Sequence, residues 1–321
     1  MYISKISLKK LNKMSIVLDN IVTNYSLAWD KDVINNTSQF LINLSSKAIN
    51  ELIEKRAKLS NYKINDYKEL KKEIDVLKRE LNDGFGFFII NGSCFTAFTK
   101  TEQKYIFTII SKILGELLVQ NIKNEKLVEI INEGKSMKTG GRYHQTNEGG
   151  SYHTDSPQWK HVPDYIGLFC INPAKKGGSS KLLSSYAIHN EFLKDKKNLL
   201  KILYERFHFD KRGEYNKNES PTVFEPIFEY KNERLNFRYL RDYIDDGHKI
   251  KNQPLSNLQI EALDYLDEIT KNENLILSYD LKKGDMIFFN NHRIVHGRTS
   301  FEDGEDENLK RCLIRVWIKE K

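Results

Sequence analysis

Little in this chain suits an oxidising compartment or a membrane. Only three cysteines occur in 321 residues, Cys94, Cys170 and Cys312, and they lie far apart. They form no Cys-x-x-Cys pair and suggest no disulfide framework, so a reducing cytoplasm is the expected location. No run of about 18 apolar residues is present, so no transmembrane helix is expected. The opening residues Met1-Tyr2-Ile3-Ser4-Lys5 lack the apolar core of a signal peptide. Internal repeats and low-complexity segments are missing too. So is any aromatic-plus-basic recognition motif. The formal charge of +7 and pI near 9.0 come from Lys and Arg interleaved with Asp and Glu, as in Lys68-Glu69-Leu70-Lys71-Lys72-Glu73. Neither a nucleic-acid nor a membrane partner is expected, and the sequence carries no signal for an oligomeric state.

What is present describes a globular protein: 39% hydrophobic and 30% charged residues, in a chain long enough to bury a sizeable core as one large domain or two small ones. Short strands are expected at residues 3–8 and 16–18. Leu52, Ile53, Leu59, Leu70, Ile74, Leu77 and Leu81 recur at helical spacing, predicting amphipathic helix from about residue 43 to 81, closed by Asn82-Asp83-Gly84. The apolar run 85–90, bounded by glycines, predicts a buried strand, and a helix follows from Thr101 to about Gln120. Residues 165–171 and 180–183 read as strands around the turn 173–178. The stretch from about 186 to 274 reads as an insertion covering a substrate, with helices at 186–207 and 257–274 and extended pieces at 224–230 and 235–239. Strands at 276–279, 286–290 and 312–318 complete the chain. The fold class is α+β with a mainly β core, an antiparallel barrel or sandwich carrying helical additions.

The chemistry concentrates around residues 140–157. Seven residues with polar tips, Arg142 to Glu148, lie between two glycine pairs, which makes poor core and a good active-site loop. His153 and Asp155 follow at i and i+2. On a strand such residues project to the same face, so an imidazole and a carboxylate could take adjacent positions on one metal ion. The best third ligand is His296. Two histidines and a carboxylate that leave positions open are the pattern of non-heme Fe(II) oxygenases. His-x-Asp alone is a weak signal; a surface strand would carry it as well. His292 is expected to face away, Asn91 to serve a turn or contact substrate, and Trp159 and Trp317 to form core or pocket wall.

Four pieces in order strengthen the reading: Gly84-Phe85-Gly86-Phe87, the His153/Asp155 pair, Gly177-Gly178-Ser179-Ser180, and the tail from Asn290 through His296-Gly297-Arg298 to Arg311 and Trp317. Over roughly residues 80–321 the chain resembles the taurine dioxygenase family, the TauD/TfdA group of Fe(II)- and 2-oxoglutarate-dependent oxygenases. The resemblance implies a double-stranded β-helix (jelly-roll) core at 81–321, with residues 1–80 as a mostly helical extension and the insertion at about 186–274. It implies that His153, Asp155 and His296 hold Fe(II), and that O2 is consumed. It places Arg311 on the distal carboxylate of 2-oxoglutarate, with Ser180 donating a hydroxyl. A guanidinium suits that role because its planar fork grips a carboxylate with two hydrogen bonds. The interval from His296 to Arg311 is fifteen residues, longer than in the shortest family versions, and leaves Arg298 as the alternative anchor. Arg315, four residues after Arg311, becomes a substrate anchor or a strand-face ion pair, and Arg142, His144 and Gln145 become substrate-binding candidates. Asp155 in place of Gly or Ala favours hydroxylation over halogenation. The expected substrate is a small polar carboxylate, an amino acid or a natural-product intermediate. The competing readings are a non-catalytic small-ligand or metal sensor on the same fold, an oxygenase performing desaturation or another oxidation, and a nucleic-acid or chromatin demethylase.

Overall fold

The computed structural model describes residues 16–121, 123–136, 143–306 and 309–321. In chain order, β1 (Leu41–Ile42) leads through α1 (Ser46–Glu54) and α2 (Lys68–Asn82) to β2 (Phe87–Ile90). Then come α3 (Lys100–Leu114), β3 (Glu116–Leu117), β4 (Leu127–Ile130), β5 (Tyr165–Asn172), β6 (Lys176–Gly177) and β7 (Ser180–Ser184). Residues 185–269 hold α4 (Ser185–Asp195), α5 (Lys197–Leu203), β8 (Arg206–Asp210), β9 (Thr222–Pro226), β10 (Phe228–Lys231), β11 (Arg234–Phe237), α6 (Arg241–Ile250) and α7 (Asn257–Ile269). The chain closes with β12 (Leu277–Tyr279), β13 (Met286–Asn290), β14 (Ile294–Arg298), β15 (Phe301–Glu302) and β16 (Cys312–Lys319).

A large sheet in the order β1-β2-β13-β5-β16-β3, with β4 also on β16, faces a small sheet β12-β7-β14. All pairings except β1 with β2 are antiparallel. Alternation along the large sheet decides its two faces. Phe87, Ile89, Ile166, Cys170, Ile287, Phe289, Leu313 and Trp317 point inward and share a core with Leu182 and Ile294 of the small sheet. Phe88, Ile90, Phe169, Met286, Phe288, Ile314 and Val316 point outward and are covered by α1, α2 and α3. Both faces being buried, β2 and β13 read as continuous apolar runs. Helices α4–α7 and strands β8–β11 enclose a separate core.

Several expectations change in detail. The helix expected over 43–81 is two helices joined by 3₁₀ turns. The break is held by Glu51, whose carboxylate accepts hydrogen bonds from the backbone N–H groups of Lys68, Glu69 and Leu70 at 2.8, 3.0 and 3.0 Å. It therefore caps the start of α2 from a different helix. Burial pushes the Glu51 carboxyl up, but Leu70 N–H, Lys55 and Lys68 N–H outweigh it and hold the group below the ordinary value. A lowered carboxyl contributes stability above its unfolded pKa and loses it as pH falls through the folded value. Glu51→Gln should thus cost about 1–2 kcal/mol at neutral pH. In paired urea titrations that difference should shrink below the reference value of 4.5. A pH-independent difference would refute the assignment.

The helix after Thr101 ends at Leu114 rather than near Gln120, because Gly115 lies against β16: a Cβ there would sit 2.2 Å from the Lys319 carbonyl oxygen. Leu117 consequently pairs with Ile318 in the large sheet. The helix expected over 186–207 breaks at Lys196, and Arg206–Asp210 is strand. Of residues 16–18, only Ile16 makes a β-bridge, to Tyr230, while the strand expected at 3–8 lies outside the described residues. Arg293, buried in the turn between β13 and β14, donates to the carbonyls of Leu81, Asn82 and Gly84, tying the end of α2 to the barrel. Among the described residues no helix is long and apolar enough to cross a membrane.

Candidate metal centre

His153 and Asp155 were expected on a strand, yet the segment around them makes only one bridge. That bridge is decisive. His153 N–H donates to the His296 carbonyl and His296 N–H to the His153 carbonyl, both at 2.9 Å. Directly opposed antiparallel residues project to the same side, so the rings lie side by side with centroids 4.4 Å apart. Strand β14, which carries His296, runs against Ser180–Ser184 in the small sheet. Asp155 is fixed by Asn291, which accepts from its N–H at 2.8 Å and donates to its carbonyl at 2.9 Å. Thr154 is held in turn by Tyr239 of the insertion, through hydrogen bonds of 2.9 and 3.0 Å.

Asp155 Oδ1 lies 3.6 Å from Nε2 of both histidines. Two donors bound to one ion at about 2.1 Å can stand at most about 4.2 Å apart, so this spacing fits a single small cation. The other carboxylate oxygen, Oδ2, accepts from Trp317 Nε1 at 2.6 Å and lies 3.2 Å from Arg315 Nη1. One oxygen faces the imidazoles while its twin is held from behind. Burial pushes the Asp155 carboxyl up, but Arg315 and the two histidines prevail and hold it well below the usual carboxylate range. Burial, with His153 alongside, lowers His296 to about 4, so its imidazole is neutral and able to ligate near pH 7. His153 Nδ1 sits 3.0 Å from the Ser151 carbonyl, an acceptor only, so Nδ1 carries the proton and Nε2 offers its lone pair.

These three residues open on a cavity of about 120 Å³ that also exposes Ser180, Arg298, Arg311 and Arg315. Arg311 Nη1 is buried and has no hydrogen-bond partner. Its side chain stacks on Phe301 and passes Gly178, where φ is +75° and a Cβ would stand 3.1 Å from Arg311 Nε. Burial first, then Arg298, pushes the guanidinium down to about 10. A buried cation with an unsatisfied donor suits a carboxylate ligand. Arg298 also has a buried donor without a partner, Nε, but its terminal Nη2 is committed: it donates to the carbonyls of Tyr143 and Thr146 at 3.1 and 2.6 Å, and its plane lies over the Tyr143 ring.

Not every sequence candidate reaches the cavity with a free group. Arg315 lines it, with its Nε donating to Gln120 at 2.8 Å and its Nη1 3.2 Å from Asp155, an ion pair. Gln145 is turned to Glu133 at 3.0 Å and does not line the cavity, because the 3₁₀ turn 143–145 packs Tyr143 rather than Gln145 inward. Arg142 lies outside the described residues, as does the side chain of His144. His292 pairs with Asp164 at 3.0 Å, away from the metal ligands, and Asn91 caps a turn through Ser93 N–H. Sequence reasoning missed Asn291, Gln158 and Tyr243; only the conspicuous Asn290-Asn291 pair next to His292 hinted at the first.

A barrel of two facing sheets with two imidazoles and one carboxylate at its mouth, beside a buried guanidinium, defines the class of mononuclear iron oxygenases. Residues 46–317 match the model of the taurine catabolism dioxygenase TauD, TfdA family, and the chain belongs to it. It is an Fe(II)- and 2-oxoglutarate-dependent dioxygenase, with O2 as the oxidant. The chain is 28% identical to FR-33289 synthase of Streptomyces rubellomurinus over 317 residues, 94% of this chain and 91% of the relative. The structure of an asparagine oxygenase with Fe(II), 3-hydroxyasparagine and succinate superposes with TM-score 0.68 at 14% identity, covering 87% of this chain and 93% of the other. The non-heme iron oxygenase OrfP, with iron and α-ketoglutaric acid, does so with TM-score 0.63 at 14% identity, covering 88% and 94%. The double-stranded β-helix is thus shared.

Proposed function

We propose that His153, Asp155 and His296 hold the Fe(II), that Arg311 with Ser180 takes the distal carboxylate of 2-oxoglutarate, and that the enzyme hydroxylates an unactivated C–H bond of a small polar, carboxylate-bearing molecule. The observation carrying this is the unpartnered Nη1 of Arg311 in the same cavity as the three ligand atoms. When bound, iron with the co-substrate supplies the oxidation: substrate C–H, 2-oxoglutarate and O2 become alcohol, succinate and CO2. The chain's own groups supply position. Arg315 and Trp317 keep Asp155 ionised and turned so that Oδ1 faces the histidines. Leu168, Leu313 and Ile130 line the cavity with apolar surface that limits water around the reacting centre.

An amino acid or natural-product intermediate is the favoured substrate. The asparagine oxygenase above holds a hydroxylated amino acid, OrfP was seen with hydroxylated arginine, and the Streptomyces relative is a synthase by name. A sensor on the same fold would have no use for a dicarboxylate anchor. The free thiols of Cys94, Cys170 and Cys312 support a cytoplasmic location, and the interleaved charge supports a small-molecule partner over nucleic acid or membrane. Anaerobic titration with Fe(II) and then 2-oxoglutarate should raise the weak visible charge-transfer band of a chelated co-substrate. No band at saturating concentrations of both would overturn the assignment.

A further inference from the structure

The cavity wall beside Asp155 carries two polar atoms that the protein leaves unsatisfied. Ser156 Oγ and Gln158 Oε1 are both buried and without a hydrogen-bond partner. Their residues are only 6% and 5% exposed, and both line the cavity of the metal ligands. Leaving such an atom unpaired forfeits the hydrogen bond it would make to water. Two on a single turn next to the metal carboxylate mark a place where a ligand completes the pairing. Ser156 also stands at φ 53°, in the left-handed region. Backbone strain of that kind collects at ligand clamps.

Glu214 settles which end of the Gln158 amide faces the cavity. Gln158 Nε2 donates to Glu214 Oε2 at 3.3 Å, and Trp159 Nε1 donates to the same oxygen at 3.0 Å. A carboxylate only accepts, so reversing the amide would set two acceptors against each other. The carbonyl Oε1 is therefore the end left without a protein partner, on a residue that lines the cavity together with Ser156. An acceptor in that position recognises a hydrogen carried by the ligand. The remaining charged lining, Arg298, Arg311 and Arg315 against Asp155, is rich in donors. The Gln158 carbonyl is the acceptor this turn adds, beside a Ser156 hydroxyl that can donate or accept, and a ligand with no polar hydrogen would leave that carbonyl unmet.

We propose that Ser156 and Gln158 form a nitrogen subsite: the substrate carries an amine or amide N–H that Gln158 Oε1 accepts and Ser156 Oγ supports. The proposal rests on the oxygenase reading of this cavity and narrows its substrate class to nitrogen-bearing acids.

The test uses the Fe(II)-loaded full chain at saturating 2-oxoglutarate. Succinate release is measured for the L-amino acids, their N-acetyl derivatives, and the matching nitrogen-free carboxylic and 2-hydroxy acids. Turnover should be confined to nitrogen-bearing acids, at least about tenfold in kcat/KM over the nitrogen-free counterpart. Gln158→Leu should lower kcat/KM for the best substrate by about tenfold to a hundredfold, chiefly through KM, and have no further effect on the nitrogen-free acid. Its 2-oxoglutarate KM and its anaerobic charge-transfer band should match those of the unaltered protein. Ser156→Ala, a smaller change on the same turn, should raise substrate KM a few-fold and serves if Gln158→Leu fails to fold. Equal turnover of nitrogen-free acids, unchanged KM in both variants, or no turnover of any nitrogen-bearing acid while the band forms would each overturn the subsite. A missing band in the unaltered protein would instead strike the oxygenase reading.

Discussion

Replacing Arg311 with methionine should raise the KM for 2-oxoglutarate by about two orders of magnitude while leaving the ligand-free fold intact. Hydrogen bonds to charged groups contribute about 1.5–3 kcal/mol each, and every 1.4 kcal/mol is about tenfold. A bidentate grip on a carboxylate would therefore account for roughly that loss. The unusual part is the second half. Without its co-substrate, Arg311 is a buried cation whose Nη1 meets nothing. An apolar side chain of similar length strands no partner there, so the apparent Tm of the ligand-free protein should hold or rise slightly. The Tm increase on adding 2-oxoglutarate should largely vanish. Arg298→Met gives the contrast, because it abandons the carbonyls of Tyr143 and Thr146 and so should lower Tm without ligand. If Arg298→Met instead carries the KM effect and Arg311→Met does not, the anchor is Arg298.

The second large effect concerns the metal. His296→Ala should drop Fe(II) affinity and turnover by at least about a hundredfold, since even outer partners of metal ligands cost ten- to a hundredfold when lost. Asp155→Asn should do the same to iron and also unfold more easily, by about 3–5 kcal/mol, because Arg315 loses the only carboxylate shown facing it. The pH dependence has a definite sign. The folded carboxyl lies well below its unfolded value, so its contribution is complete above about pH 4 and fades as pH falls further. The stability gap between unaltered protein and Asp155→Asn should therefore narrow in acid, in denaturant titrations followed alongside iron binding by calorimetry. Undiminished iron affinity in His296→Ala would mean that the ligands are misassigned.

Much of the core was legible because both faces of the large sheet are covered, which forces unbroken apolar runs at Phe87–Ile90 and Met286–Phe289. β14 was harder: Ile294, Val295 and His296 sit in a short segment full of Arg, His and Gly, and it reads as strand only once Leu182–Ser184 lies beside it. The break between α1 and α2 was invisible because a carboxylate from one helix caps the other, a contact across 17 to 19 residues.

Residue type and spacing by themselves determined which chemistry was available: an imidazole and a carboxylate two apart, a second imidazole near the end, and arginines after it. Only the folded chain decided which of these groups are free to act. Arg315 faces Asp155 and Gln120, Gln145 faces Glu133, and the Nη2 of Arg298 holds backbone carbonyls, while the Nη1 of Arg311 keeps an open donor and Gln158 an open acceptor. Hydrogen-bond satisfaction is a property of neighbours distant along the chain, and no spacing rule in one sequence encodes it.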